Sequence, residues 1–258
     1  MELNYIQGQK FRELGDNNKI YYCNTDNVNS FFDSITFTHD FILISHNSDG
    51  NITDNPTRYF DADIKKIPKN LKRWFGQNLD YESDIIESIP IGLENSQWFP
   101  ETRKIEKLFN ITKEPRNFKN LVYLNLNISN NPYVRQPIYD MLKEKKHVTT
   151  HYGRNGSGYD EYLDNLYNHR FMICPEGNGI DVHQPWESLY VGTIPIQKKS
   201  INNMNWRELP VCWVDDWKQS TDENFLLSEY DRITNTKFDI SKLDFGFWKS
   251  KIQKSIYE

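Results

Sequence analysis

The sequence predicts an α/β chain made of two parallel-sheet units, spanning residues 1–118 and 119–258. Three observations carry that expectation. Short apolar runs in the first half each finish in polar residues, as parallel strands sharing one functional edge do. Residues 113–119, with Pro115, have the composition of a linker between halves. Residues 171–196 read as strand, glycine turn, helix and second strand.

In chain order, 19–23 is the first expected strand, followed by Asn24-Thr25-Asp26-Asn27 and an amphipathic helix over 28–35. Residues 41–45 form an uninterrupted apolar strand that runs into His46-Asn47-Ser48-Asp49-Gly50. Strands over 73–77 and 88–93 end in Gln77-Asn78 and Glu94-Asn95, with helices expected near 59–70 and 101–109.

The second unit opens with a strand over 121–126. Asn131-Pro132 then starts a helix reaching about residue 146, with Pro137 inside its first turns. A strand over 147–151, a glycine-rich loop over 153–158 and a helix over 160–168 lead to the central stretch. There 171–174 is a strand and Pro175-Glu176-Gly177-Asn178-Gly179 a turn. Asp181 is the expected N-cap, Pro185 suits a first helical turn, and Gly192 closes the helix. A strand over 193–196, one over 209–214, and helices near 222–232 and 245–256 complete the chain. The last helix is placed to pack back on the first half.

Glycine-loop amides entering a helix favour an anion, phosphate above all. Glu176, Asn178, Asp181, His183 and Glu187 crowd this edge, more polar groups than a turn alone requires. Neither a dinucleotide fingerprint nor a Walker loop is present in the sequence.

With a net charge of −5 and scattered Lys and Arg, the chain shows neither a nucleic-acid footprint nor a polybasic membrane patch. Cys23, Cys174 and Cys212 lack metal-type spacing and suit free thiols in a reducing compartment. Residues 1–4 carry no basic or apolar leader features, and no apolar run approaches the ~20 residues of a membrane span. A soluble, cytoplasmic protein is expected.

The run Cys174-Pro175-Glu176-Gly177-Asn178-Gly179-Ile180-Asp181, then His183, Trp186-Glu187 and Gly192-Thr193-Ile194-Pro195-Ile196, resembles the nucleotide-sugar signature of exostosin-like glycosyltransferases. Residues 41–50, 74–78, 89–95, 121–135 and 209–217 are similar to blocks of bacterial and large-DNA-virus members of that family, some of which transfer xylose. The resemblance implies a GT-B-like fold, two small Rossmann-like domains with parallel sheets facing a central cleft. It further implies that Glu187 holds the donor ribose while the loop faces the diphosphate. Gln184 departs from the pattern, since relatives commonly carry arginine there.

An inverting sugar transfer needs a base, an in-line electrophile and a stabilised leaving diphosphate. Asp49 is the first choice of base and His46 the second, although Asn47-Ser48-Asp49-Gly50 also suits a plain turn. Arg154 and Arg135 are the expected diphosphate cations, although an arginine on a helix, as Arg135 is, more often lies on a solvated face. Trp74, Asn78 and Asn95 are candidates for the acceptor wall, and Trp74 fits a core position as well. Asp61-Ala62-Asp63 matches a metal-binding triplet and Asp215-Asp216 invites the same reading. No metal or other cofactor is expected, because arginines and a loop-to-helix anion site are at hand.

The expected activity is transfer of a sugar from a nucleotide-sugar, UDP-linked and with UDP-xylose among the options, to a glycan hydroxyl. The alternative is a non-catalytic nucleotide- or carbohydrate-binding module that retains the fold. A phosphate-cleaving hydrolase ranks below both, for want of a nucleophile-base pair or metal cluster.

Overall fold

A computed structural model describes residues 4–17, 19–98, 105–152 and 158–257. The first half runs through α1 (Gly8–Arg12), β1 (Asp16–Asn17), β2 (Ile20–Asn24), α2 (Val28–Ser34) and β3 (Phe41–His46). A short parallel pair follows, β4 (Ile52–Thr53) and β5 (Ala62–Asp63), and then β6 (Leu71–Gly76), β7 (Ile86–Ser88) and α3 (Ile105–Ile111). The second half supplies β8 (Asn120–Leu126), α4 (Pro132–Leu142), β9 (Val148–Tyr152), α5 (Tyr159–Tyr167) and β10 (His169–Ile173). It continues with α6 (His183–Val191), β11 (Ile194–Lys198), β12 (Cys212–Val214), α7 (Glu223–Thr234) and α8 (Phe245–Lys254).

Two five-stranded sheets result, ordered β1-β2-β3-β6-β7 and β12-β11-β10-β8-β9. Only the short β1 pairs antiparallel with its neighbour; the other ladders in both sheets are parallel. The chain is thus α/β, with two Rossmann-like, mostly parallel sheets. In the second sheet, β9 lies on one side of β8 and β10 on the other. This reversal sets a crevice at the carboxyl ends of β8 and β10, the usual place for a ligand in an open parallel sheet.

Strands buried on both faces need apolar residues at every position, and alternate ones serve different cores. Along β3, Ile42 and Ile44 join one apolar cluster while Phe41 and Leu43 join another. Along β10, Met172 faces the first cluster, whereas Phe171 and Ile173 face a third beneath α4 and α7. The first cluster draws on both halves, bringing Ile42, Ile44 and Phe75 together with Tyr123, Trp186 and Trp206. Helix α8 returns to it: Phe245 packs edge-on against Phe11 at 5.2 Å, and Trp248 is fully buried.

Several elements differ from expectation. No helix spans 59–70; that stretch holds β5 and a single 3₁₀ turn, Ile64–Lys66. The Asp61 carboxylate there accepts from the amides of Asn51, Thr57 and Arg58, a local competitor that winds the chain into a turn instead. Helix α4 ends at Leu142, short of residue 146, and tolerates Pro137 at its sixth position. Among the described residues, no helix is long and apolar enough to cross a membrane.

Candidate functional site

Two asparagines end neighbouring strands of the first sheet in the left-handed region, Asn47 after β3 at φ 57° and Asn78 after β6 at φ 60°. Asparagine enters this region more readily than other side-chain-bearing residues, at a cost of roughly 1 kcal/mol. The turn at Asn47 carries Ser48 and Asp49 over the sheet edge. There a pocket of about 450 Å³ opens, lined by Asn47, Asp49, Gln77, Glu94, Trp98 and His183 among others. His183 is the first residue of α6, so this pocket is shared by the two halves.

Asp49 is exposed on the pocket wall and its carboxylate forms no hydrogen bond or ion pair with the described residues. Ser48 Oγ donates to Asp26 Oδ1 beside it. His46 is different: it is 1 % exposed and stacked on Phe11 at 5.2 Å. Its Nε2 meets the Pro90 carbonyl at 3.1 Å, and its Nδ1 accepts the Asn47 amide at 2.7 Å. Burial lowers its pKa to about 4, the Pro90 carbonyl offsetting only part of that effect. A neutral imidazole with both nitrogens engaged has no lone pair for an acceptor hydroxyl, so His46 holds the strand-end loops together instead.

The glycine turn after β10 is bound from both halves. Arg135 is 5 % exposed, not on a solvated face. Its Nε donates to the Glu176 carbonyl at 2.8 Å and its Nη1 to the Asn127 carbonyl at 3.0 Å, tying the two lips of the β8/β10 crevice. Asn131 Nδ2 adds a bond to the Gly177 carbonyl at 3.1 Å. From the first half, Arg58 Nη1 donates to the Asn178 carbonyl at 2.7 Å. Gly179 passes so close to Asn78 that an added Cβ would sit 2.6 Å from its Nδ2, which requires glycine there. Within the turn, the Gly177 amide donates to the Gly179 carbonyl at 3.0 Å.

Asp181 is not the N-cap of α6. Val182 occupies that position and no side chain caps the helix. Asp181 instead accepts the Ile91 amide from the first half at 2.8 Å and the Trp186 indole N–H at 3.0 Å. Burial pushes its pKa up to about 6, with these donors pulling back part of the shift. His183 sits between two acceptors, the Gly92 carbonyl at 2.8 Å from Nδ1 and Glu94 Oε2 at 3.3 Å from Nε2. Burial works to lower its pKa, but the Glu94 carboxylate and the carbonyl prevail and raise it, favouring the imidazolium. Glu176 is half-buried, and burial together with the nearby Asp80 charge raises its pKa.

Glu187 lies one turn into α6, 1 % exposed, and accepts the hydroxyl of Tyr162 from α5. Arg154, expected to accompany it on the donor, lies outside the described residues. Trp74 is fully buried, edge-on to Phe32 and donating to Ser45 Oγ at 2.8 Å, and so packs in the core. Asn78 and Asn95 are buried, and their side-chain groups are engaged inside the protein. Asn78 bonds Ser48 and Asp181, and Asn95 bonds Asn47 and the Gln9 amide. Asn95 borders the pocket and Asn78 holds the Ser48 turn beside it. The carboxylate of Asp61, from the expected metal triplet, is engaged by three amides and Arg58. Asp216 caps a 3₁₀ turn and Asp215 pairs with Lys199 at 3.0 Å.

Sequence reasoning did not single out Glu94, Trp98, Asp26 or Tyr162 as site residues. Glu94 and Asp26 follow strands at the carboxyl edge, and that placement was the available signal. Tyr162 has no local mark, because it meets Glu187 only through the packing of α5 on α6.

No family model and no curated protein matches this chain. Among solved structures, it is similar to the crystal structure of an α1,3-fucosyltransferase with GDP-fucose, at a TM-score of 0.42 and 14 % identity. That similarity covers 86 % of this chain and 78 % of the other.

Proposed function

We propose that the chain transfers a sugar from a nucleotide-sugar to a hydroxyl of a glycan acceptor, with inversion and without a metal ion. One observation carries the reading: an uncapped helix N-terminus after a glycine turn opens with His183, which lines the same pocket as the uncommitted carboxylate of Asp49. An anion suits the helix end and a proton acceptor suits the opposite wall. In the transfer, Asp49 takes the proton of the acceptor hydroxyl and the acceptor oxygen bonds to the sugar's anomeric carbon. The bond to the diphosphate oxygen breaks on the opposite side. The charge left on the diphosphate falls to the first-turn amides of α6 and to Arg154. Glu187, oriented by Tyr162, holds the ribose. The sequence resemblance makes UDP-xylose the first donor to try.

A non-catalytic binding module is the second reading. It is favoured by the engagement of three amides between the turn and α6, those of Gly177, Asp181 and Val182, within the protein itself. Nucleotide release from a panel of UDP- and GDP-sugars, with mixed glycan acceptors and excess chelator, separates the two. Acceptor-dependent release in chelator supports the transferase; binding without release for every pair supports the module.

A further inference from the structure

The pocket's aromatic lip and its charge speak to what the acceptor is, an inference that rests on the transferase reading. Trp98 ends a single 3₁₀ turn, Ser96–Trp98, and is anchored by its amide to the Asn95 carbonyl at 2.9 Å. Its indole is 69 % exposed and borders the pocket. A large aromatic face left in water at the mouth of a polar cavity suits a sugar ring, which offers an apolar C–H face edged by hydroxyls. The polar lining matches such a ring, since Asp26, Asp49 and Glu94 all border the same space. The described lining residues include no Lys or Arg, and the imidazole of His183 already faces Glu94 at 3.3 Å. Away from the α6 end the lining is acidic, which disfavours an anionic sugar though not a neutral or protonated amino sugar.

We propose that Trp98 is the stacking platform of an acceptor subsite that admits neutral or amine-bearing sugars and rejects acidic ones. Asp26 and Asp49 set the charge preference, and Trp98 sets the ring's plane.

Saturation-transfer NMR and tryptophan fluorescence titrations test this with methyl β-D-glucopyranoside, glucosamine and methyl β-D-glucuronide. The proteins are the full chain and its Trp98→Ala, Trp98→Phe and Asp26→Asn variants, with UDP binding measured in parallel by calorimetry. Trp98 is exposed, so its replacement leaves the fold intact. The expected result is glucoside binding roughly tenfold tighter than glucuronide, weakened about tenfold by Trp98→Ala and largely recovered in Trp98→Phe. Asp26→Asn should narrow the gap between glucoside and glucuronide severalfold. Equal binding of the glucuronide, or sugar binding indifferent to Trp98→Ala, overturns the proposal. UDP binding without sugar binding overturns the subsite alone and leaves the transferase reading standing. Sugar binding at Trp98 without any nucleotide binding overturns the transferase reading and leaves a carbohydrate pocket.

Discussion

Asn78 Oδ1 accepts the backbone N–H of Asp181 at 2.9 Å, joining the end of a first-sheet strand to the root of the glycine turn in the other half. The same asparagine donates Nδ2 to the Ser48 carbonyl at 3.0 Å. One buried side chain thereby fixes the turn beside Asp49 and the turn before α6 relative to each other.

Asn78→Ala removes both bonds and places alanine in the left-handed region. The expected loss is about 2–4 kcal/mol of unfolding free energy in urea titrations. Asn78→Gly restores the backbone freedom but not the bonds, and should recover only about 1 kcal/mol of that loss.

Asp181 and His46 set opposing pH dependences. Asp181 titrates near 6 in the folded chain against 3.8 ordinarily, so the folded state binds the extra proton between those values and stability falls as pH rises through them. His46 titrates near 4 against 6.5, so the unfolded state binds the extra proton and stability rises with pH across that window. The two slopes largely cancel from about pH 4 to 6. Asp181→Asn should unmask the His46 slope, making the variant lose about 2–3 kcal/mol more than the parent on acidification from pH 6.5 to 4. Denaturant titrations across that range measure it.

The buried guanidinium of Arg135 bonds the carbonyls of Asn127 and Glu176. Arg135→Met keeps the volume but leaves those carbonyls without their donor, and should cost about 2–4 kcal/mol while loosening the glycine turn. Faster amide exchange at Gly177 and Gly179, read by NMR, checks the local effect.

The parts of this fold legible in the sequence are those set by local pattern. The runs at 41–45, 121–126 and 171–174 are short and apolar at nearly every position, as strands buried on both faces are. Gly192 closes α6 in the left-handed conformation because the helix end demands it. What stayed hidden depends on partners far along the chain. Asp181 has the look of an N-cap, yet its best donor is the amide of Ile91, 90 residues away. Arg135 resembles a surface arginine on its helix until the carbonyls of the β10 turn close over it. His46 stands at a plausible catalytic position, and only the Pro90 carbonyl and the Phe11 ring reveal it as a packed, neutral group. Trp74 reads alike as a cleft wall or a core residue, and the opposing ring of Phe32 decides the matter.

If Asp49 is the base, Asp49→Asn should lower acceptor-dependent nucleotide release by about 10²–10⁴-fold while leaving nucleotide affinity within about twofold. Glu187→Ala should do the reverse in kind, weakening nucleotide binding. Steady-state kinetics together with calorimetry separates the two effects.

The central claim is that a diphosphate sits at the N-terminus of α6 with the nucleotide's ribose on Glu187. A crystal structure of the chain with bound UDP tests it most directly. The account predicts phosphate oxygens within hydrogen-bond distance of the first-turn amides of α6, and ribose hydroxyls on the Glu187 carboxylate. A nucleotide bound away from α6, with Glu187 still enclosed against Tyr162, would contradict it.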